Sequence, residues 1–180
     1  MLETLITSKT RLKLLMRLFL NPESKGYLQG LASEFGESSN SIRVELNRFD
    51  KAGLIVSEQE GRKKMYRANR RHPMFDDVQR IIRKYVGIDQ MVDHIAARMG
   101  NLDRIYIEGN IALGIQSQTI EVLLIGEEID KEYTNQLIAK CERLIEKRIS
   151  YLFIDVKDAE TYLSRKDPNA ILLVWNRIIN

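Results

Sequence analysis

The period of the apolar residues shifts for good near Asp103 in this chain of 180 residues, and that shift sets what it can fold into. Before it, apart from a short stretch over residues 54–68, apolar side chains recur at three- and four-residue intervals, the spacing that gathers them on one face of an α-helix. From Asp103 they alternate or run on: Ile105-Tyr106-Ile107, then Val122-Leu123-Leu124-Ile125, as buried strands require. The expectation is a largely helical front part followed by a small α/β part.

Charge divides the chain at nearly the same place. Residues 1–86 carry 17 Lys and Arg against 10 Asp and Glu, net +7, whereas residues 87–180 carry 11 against 15, net −4. A basic module beside an acidic one points to a nucleic-acid partner for the first, because clustered cations displace the counterions of phosphates. Apolar residues make up 44% and charged residues 29%, a balance that folds and excludes a chain disordered throughout. No apolar run approaches the roughly 18 residues of a membrane span. Lys and Arg interrupt the first twenty residues, which read as a helix and not as a secretory signal. With one cysteine, Cys141, and two histidines, neither a disulfide nor a zinc site is expected. A cytoplasmic location, no cofactor and no metal complete that reading.

In the basic part, Ser8 can cap a helix carrying Leu12, Leu15, Leu18 and Phe19, which Asn21-Pro22 stops. A loop ending at Gly26 leads to a helix over residues 28–35. Gly36 supplies a left-handed stop, and Ser39 opens a further helix with Ile42, Leu46 and Phe49 turned inward. Gly53 ends that helix. Two strands follow, beginning at Leu54-Ile55-Val56 and at Met65-Tyr66-Arg67-Ala68, with turn chemistry at Gly61. The hairpin has a basic tip.

The ordered set S-S-N-S-I-R-V-E-L-N-R-F-D-K-A-G-L-I, residues 38–55, then E-G-R-K-K-M-Y, resembles the recognition helix and wing of bacterial winged helix-turn-helix regulators of the ArsR and MarR type. The resemblance covers residues 8–70 and implies duplex DNA as partner. Helical geometry supports it independently. With Ile42, Leu46 and Phe49 inward, Asn40, Arg43, Val44 and Asn47 face outward, where they can reach base edges in a major groove. Ser39, Ser41 and Arg48 fall nearer the phosphates. Arg62, Lys63, Lys64 and Arg67, with Arg70 and Arg71 beyond, can lie along the backbone or minor groove. No aromatic ladder interleaves these cations, which disfavours single-strand binding by base stacking.

Two stripes follow His72-Pro73: Val78, Ile81, Ile82 and Tyr85, then Ile88, Met91, Val92, Ile95 and Met99. Regulators of the resembled kind commonly dimerise through a helix after the wing, so these residues are expected to form a homodimer interface. His94 beside Asp93 is no chelate, since adjacent helical positions point about 100° apart. The paired cysteines of metal-sensing ArsR relatives are absent.

In the acidic part, strands are expected at Ile105-Tyr106-Ile107, over residues 121–126 and over residues 149–156, with helices over residues 130–147, 158–164 and 168–179. The broad face of the first of those helices reads as Tyr133, Leu137, Ile138, Cys141, Leu144 and Ile145. Residues 101–180 resemble a degenerate nucleotidyltransferase-fold domain, in which Gly109-Asn110 stands at the Gly-Ser position. Thr119 and Glu121 stand where the resembled family carries two metal-binding aspartates. Paired carboxylates are what hold Mg²⁺ against a triphosphate, and Thr119 removes one. Asp155, at the end of the strand over residues 149–156, could approach the same edge, yet Glu121 with Asp155 makes a poor metal cage. This domain is therefore expected to lack catalytic activity, making the chain no enzyme.

The expected organisation is an α+β winged-helix domain over residues 1–72, connecting and dimerisation helices over 73–100, and a small α/β domain over 101–180. Its expected function is transcriptional regulation by a DNA-bound homodimer, with a small-molecule or protein effector at the C-terminal domain. The alternative is a nucleotidyltransferase recruited to its substrate by a winged helix.

Overall fold

The computed structural model describes residues 2–177 of a mixed α/β protein. Two compact units divide the chain, Met1–Ile82 and Arg83–Asn180.

The first unit begins with α1 (Leu2–Leu5) and α2 (Lys9–Phe19). Ser8 caps α2 by accepting from the Arg11 amide, and Leu12, Leu15, Leu18 and Phe19 are buried as their spacing predicts. β1 (Gly26–Tyr27) leads directly into α3 (Leu28–Phe35). Gly36 ends α3 at φ 64°, a left-handed conformation that costs a residue without Cβ little. α4 (Ser39–Lys51) opens at Ser39 as its spacing predicts, capped by Ser38 through its hydroxyl on the Ser41 amide. Ile42, Leu46 and Phe49 point into the core. β2 (Ile55–Glu60) and β3 (Lys63–Ala68) form an antiparallel hairpin in which Glu60 faces Lys63 around Gly61.

The two residues of β1 correct one expectation. Read as the end of a loop, they pair with Met65 and Tyr66 of β3 and close a sheet of order β1-β3-β2. A two-residue strand leaves no alternation to read. α5 (Phe75–Val86) starts in this unit, its Phe75 ring stacked on Phe19 with centroids 5.9 Å apart and Gln79 donating to the Phe19 carbonyl at 3.2 Å.

In the second unit, α6 (Ile88–Ala96) buries Ile88, Met91, Val92 and Ile95, and Met99 is buried just beyond it. This stripe was expected on a dimer interface; within the unit α6 packs against α8 (Lys131–Ile145) and the chain itself covers it. The unit's sheet has the order β6-β5-β4-β7, from β4 (Leu102–Glu108), β5 (Thr119–Gly126), β6 (Arg148–Asp155) and β7 (Ile171–Asn176). A short α7 (Gly109–Ala112) links the antiparallel pair β4 and β5, while β5 and β6 are parallel, which requires the crossover that α8 supplies. One sheet face packs Leu123 and Ile125 on Ala159 of α9 (Val156–Leu163). Alternation puts Tyr151 on the other face, where its hydroxyl donates to Asn135 of α8 at 2.7 Å.

Two helix expectations change here. The expected helix over residues 168–179 is instead β7, antiparallel to β4 with Trp175 opposite Ile105, and residues 178–179 of that expectation lie outside the described residues. On α8 the buried residues are Thr134, Leu137, Ile138 and Cys141, whereas Tyr133 and Leu144 are exposed. Among the described residues no helix is long and apolar enough to cross a membrane.

Candidate nucleic-acid interface

The outward face of α4 is built by what lies beneath it. Asn40, Arg43, Val44 and Asn47 are exposed, as the spacing requires once Ile42, Leu46 and Phe49 are inward. Val44 is 41% exposed, an apolar group left in water on a helix that buries its other large apolar residues. Ser39 is half-buried at the helix start and Ser41 is exposed, its hydroxyl 2.8 Å from that of Ser38.

Glu45 is buried on the same helix, and sequence reasoning did not single it out. Its carboxylate accepts from Arg11 Nε at 2.8 Å and Nη2 at 3.3 Å, from Arg48 Nη1 at 2.8 Å and from the Ser8 hydroxyl at 3.1 Å. Burial pushes this carboxyl up, but the Arg11 guanidinium, aided by Ser8 and Arg48, outweighs it and holds Glu45 below the usual carboxylate range. A signal existed in the chain: Glu45 stands beside Leu46 and three residues after Ile42, so an acidic group next to the apolar face needed a cationic partner. The partner, Arg11, is 34 residues away and invisible to local spacing. Alongside, Glu37 receives Lys13 Nζ at 2.8 Å and the Thr10 hydroxyl. These contacts lock α2 to the turn and helix that carry the outer face.

On the hairpin, Arg62, Lys63 and Lys64 are exposed, with Lys63 Nζ 4.2 Å from the centroid of the Tyr27 ring and Lys64 Nζ 5.3 Å from that of Tyr66. Arg67 lies 3.9 Å from Glu58, and Arg70 pairs with Glu23 at 2.6 Å. The hairpin is less uniformly basic than its tip suggested, because Lys25 pairs with both Glu58 at 2.7 Å and Glu60 at 2.6 Å on β2. Cations on β3 and at the turn therefore stand beside an acidic strand whose charge Lys25 neutralises in part.

The positions singled out in the second unit do not assemble as expected. Glu121 faces Glu108 across β4 and β5, and a Cβ on Gly109, at φ 64°, would press against the Glu121 carboxylate. Glu108 accepts from the Tyr162 hydroxyl at 3.0 Å and lies 3.1 Å from Lys166 Nζ. Thr119 is opposite Arg148 at the start of β5. Asp155, expected near Glu121, pairs with Gly126 at the far end of the parallel strands and caps α9 through the Lys157 amide. A five-residue offset along a strand is roughly 16 Å, too far to share an ion. Among the described residues no group of three His, Cys, Asp or Glu could hold a metal.

A family model described as PaaX-like protein matches residues 24–71. No protein of curated function matches the chain. Among solved structures, the chain is similar to reduced HlyU from Vibrio cholerae at 15% identity, covering 54% of this chain and 86% of that one, TM-score 0.35. It is also similar to a protein from Archaeoglobus fulgidus at 22% identity, covering 52% and 94%, TM-score 0.36. A third, described as a nucleotidyltransferase from Sulfolobus solfataricus, matches at 20% identity, covering 54% and 84%, TM-score 0.39. Against the expectation that the chain is no enzyme stands a structure described as a nucleotidyltransferase among those similar to it. That expectation is dropped, and no reaction is assigned in its place.

Proposed function

We propose that this chain is a sequence-specific, duplex-DNA-binding transcriptional regulator. In this reading residues 1–72 form a winged helix-turn-helix of the ArsR and MarR plan, with α4 as recognition helix and the β2–β3 hairpin as wing. The observation that carries it is the outer face of α4, where Asn40, Arg43, Val44 and Asn47 stand exposed on a helix fixed from below by the buried Glu45. Asn and Arg can make bidentate contacts to adenine and guanine edges, and Val44 can meet a thymine methyl. The PaaX-like model, of a winged-helix transcription regulator family, covers α4 and the hairpin and supports the same reading. Ser39, Ser41 and Arg48 flank the reading face, and Arg62, Lys63, Lys64 and Arg67 supply phosphate contacts.

The regulator acts as a homodimer, since two symmetric recognition helices read two half-sites and multiply the preference of one. Ile81 of α5, 50% exposed, is an apolar group available to such a contact. Residues 101–180 serve sensing or partner contact, and the chain works in the cytoplasm. Selection of bound duplexes from a random pool tests the reading: enrichment of an inverted repeat is expected, and a pool that stays random after several rounds contradicts it.

A further inference from the structure

Two arginines share one buried carboxylate at the flank of α4. Glu45 occupies Nε and Nη2 of Arg11 and Nη1 of Arg48, and its side chain is 6% exposed against 34% and 58% for the two arginines. Two guanidiniums against one carboxylate leave one positive charge over. Among the described residues the geometry also leaves donors over: Nη1 of Arg11, and Nε and Nη2 of Arg48.

Their position decides what those donors meet. At about 100° per residue, Arg48, Ser41 and Glu45 follow one another between the outer face of Asn40, Val44 and Asn47 and the buried face of Ile42 and Phe49. A helix seated in a major groove turns its outer face to the bases and its flanks to the backbones that border the groove. Resting on the proposed function, we infer that Arg11 and Arg48 form a two-pronged clamp on the phosphates of one DNA strand, with Glu45 as the positioning residue that aims both guanidiniums. Arg11 belongs to α2, so the clamp extends the DNA contact beyond α4 and the hairpin. Glu45 does not touch DNA; it fixes two long side chains before binding, and ordering them in advance lowers the entropy lost on contact.

The test is the salt dependence of duplex binding by the full chain. Each lost phosphate contact lowers the slope of log K against log salt by about 0.9, so R11A/R48A should lower it by about 1.8. The ratio of affinities for the preferred and a random duplex should stay unchanged, because phosphates carry no sequence. R11Q/E45Q/R48Q removes all three charges without stranding a buried carboxylate, and this variant should show the same reduced slope while keeping a cooperative thermal transition well above the temperature of the binding assay. R62A/K63A/K64A serves as a separate reference. An unchanged slope in the folded triple variant, with a lowered slope in the hairpin variant, overturns the clamp and leaves the DNA reading standing. A changed affinity ratio overturns it too, by placing the arginines on bases. Failure of the unaltered chain to bind duplex DNA overturns both.

Discussion

Gly126, the last residue of β5, packs against the backbone of Asn101 so closely that a Cβ would overlap the Asn101 carbonyl oxygen. Asn101 is backbone there and cannot rotate away, so Gly126→Ala must displace the start of β4 from the end of β5. A loss of about 1–3 kcal/mol is expected, the range of overpacking in a formed core. The lone tryptophan, Trp175, lies on β7 in the same unit, and its fluorescence during urea unfolding reads the change. A midpoint equal to that of the unaltered chain would show that the strand ends are not in this contact.

Glu45 makes the first unit sensitive to acid. Its carboxyl is held below the ordinary range, so the folded chain binds fewer protons there than the unfolded chain does. The stabilisation is fully present above the unfolded value of about 4.3 and disappears as the pH falls through the folded value. Glu45→Gln carries none of it. The stability gap between the two chains, read by circular dichroism in urea, should hold from about pH 7 to about pH 5.5 and shrink below about pH 4. A gap that widens towards acid would mean that the carboxyl is buried neutral.

Cys141 is buried in α8, and burial pushes its thiol up to about 11. At pH 8 the thiolate is then on the order of a thousandth of the total, and a thiol reagent should label the folded chain slowly. Labelling should accelerate in step with the Trp175 unfolding signal, since both residues belong to the second unit. Fast labelling of the folded chain would place Cys141 at the surface.

Local chemistry made the first unit legible. Ser8, Gly36 and Gly53 act through their own backbone or side chain, and Ile42, Leu46 and Phe49 declare one helical face, so α2, α3, α4 and the hairpin could be read from spacing alone. What spacing missed is held from a distance. β1 exists because Gly26 and Tyr27 find Tyr66 and Met65, and Glu45 is tolerable because Arg11 reaches it. The run Ile171-Leu172-Leu173-Val174-Trp175 fits a buried helix or a buried strand equally by period, and pairing with β4 decides for the strand. Asp155 was misplaced for a related reason: a parallel register starting at Arg148 sends it to the opposite end from Glu121. The stripe from Ile88 to Met99 was legible as apolar, but the partner that covers it lies in α8 of the same chain.

Base-reading and phosphate-holding residues should separate on mutation. Arg43→Ala and Asn47→Ala should each cost roughly 1–3 kcal/mol on the preferred duplex and little on random duplex, because base edges carry the discrimination. Replacing Arg62, Lys63 and Lys64 by Ala should weaken both duplexes alike and flatten the salt slope. Gel-shift titration on the two duplexes distinguishes the patterns, and equal losses on both for Asn47→Ala would remove it from the reading face.

The most direct measurement is a titration of the full chain with duplex DNA recovered by selection and with a random duplex of equal length, repeated from about 50 to about 200 mM salt. Log K should fall on both, with a slope steeper than about −3 from the hairpin cations alone, and the affinity for the selected duplex should lie at least about a thousandfold above that for the random one. Equal affinity for the two duplexes, or binding that ignores salt, would overturn the reading of this chain as a sequence-specific DNA-binding regulator.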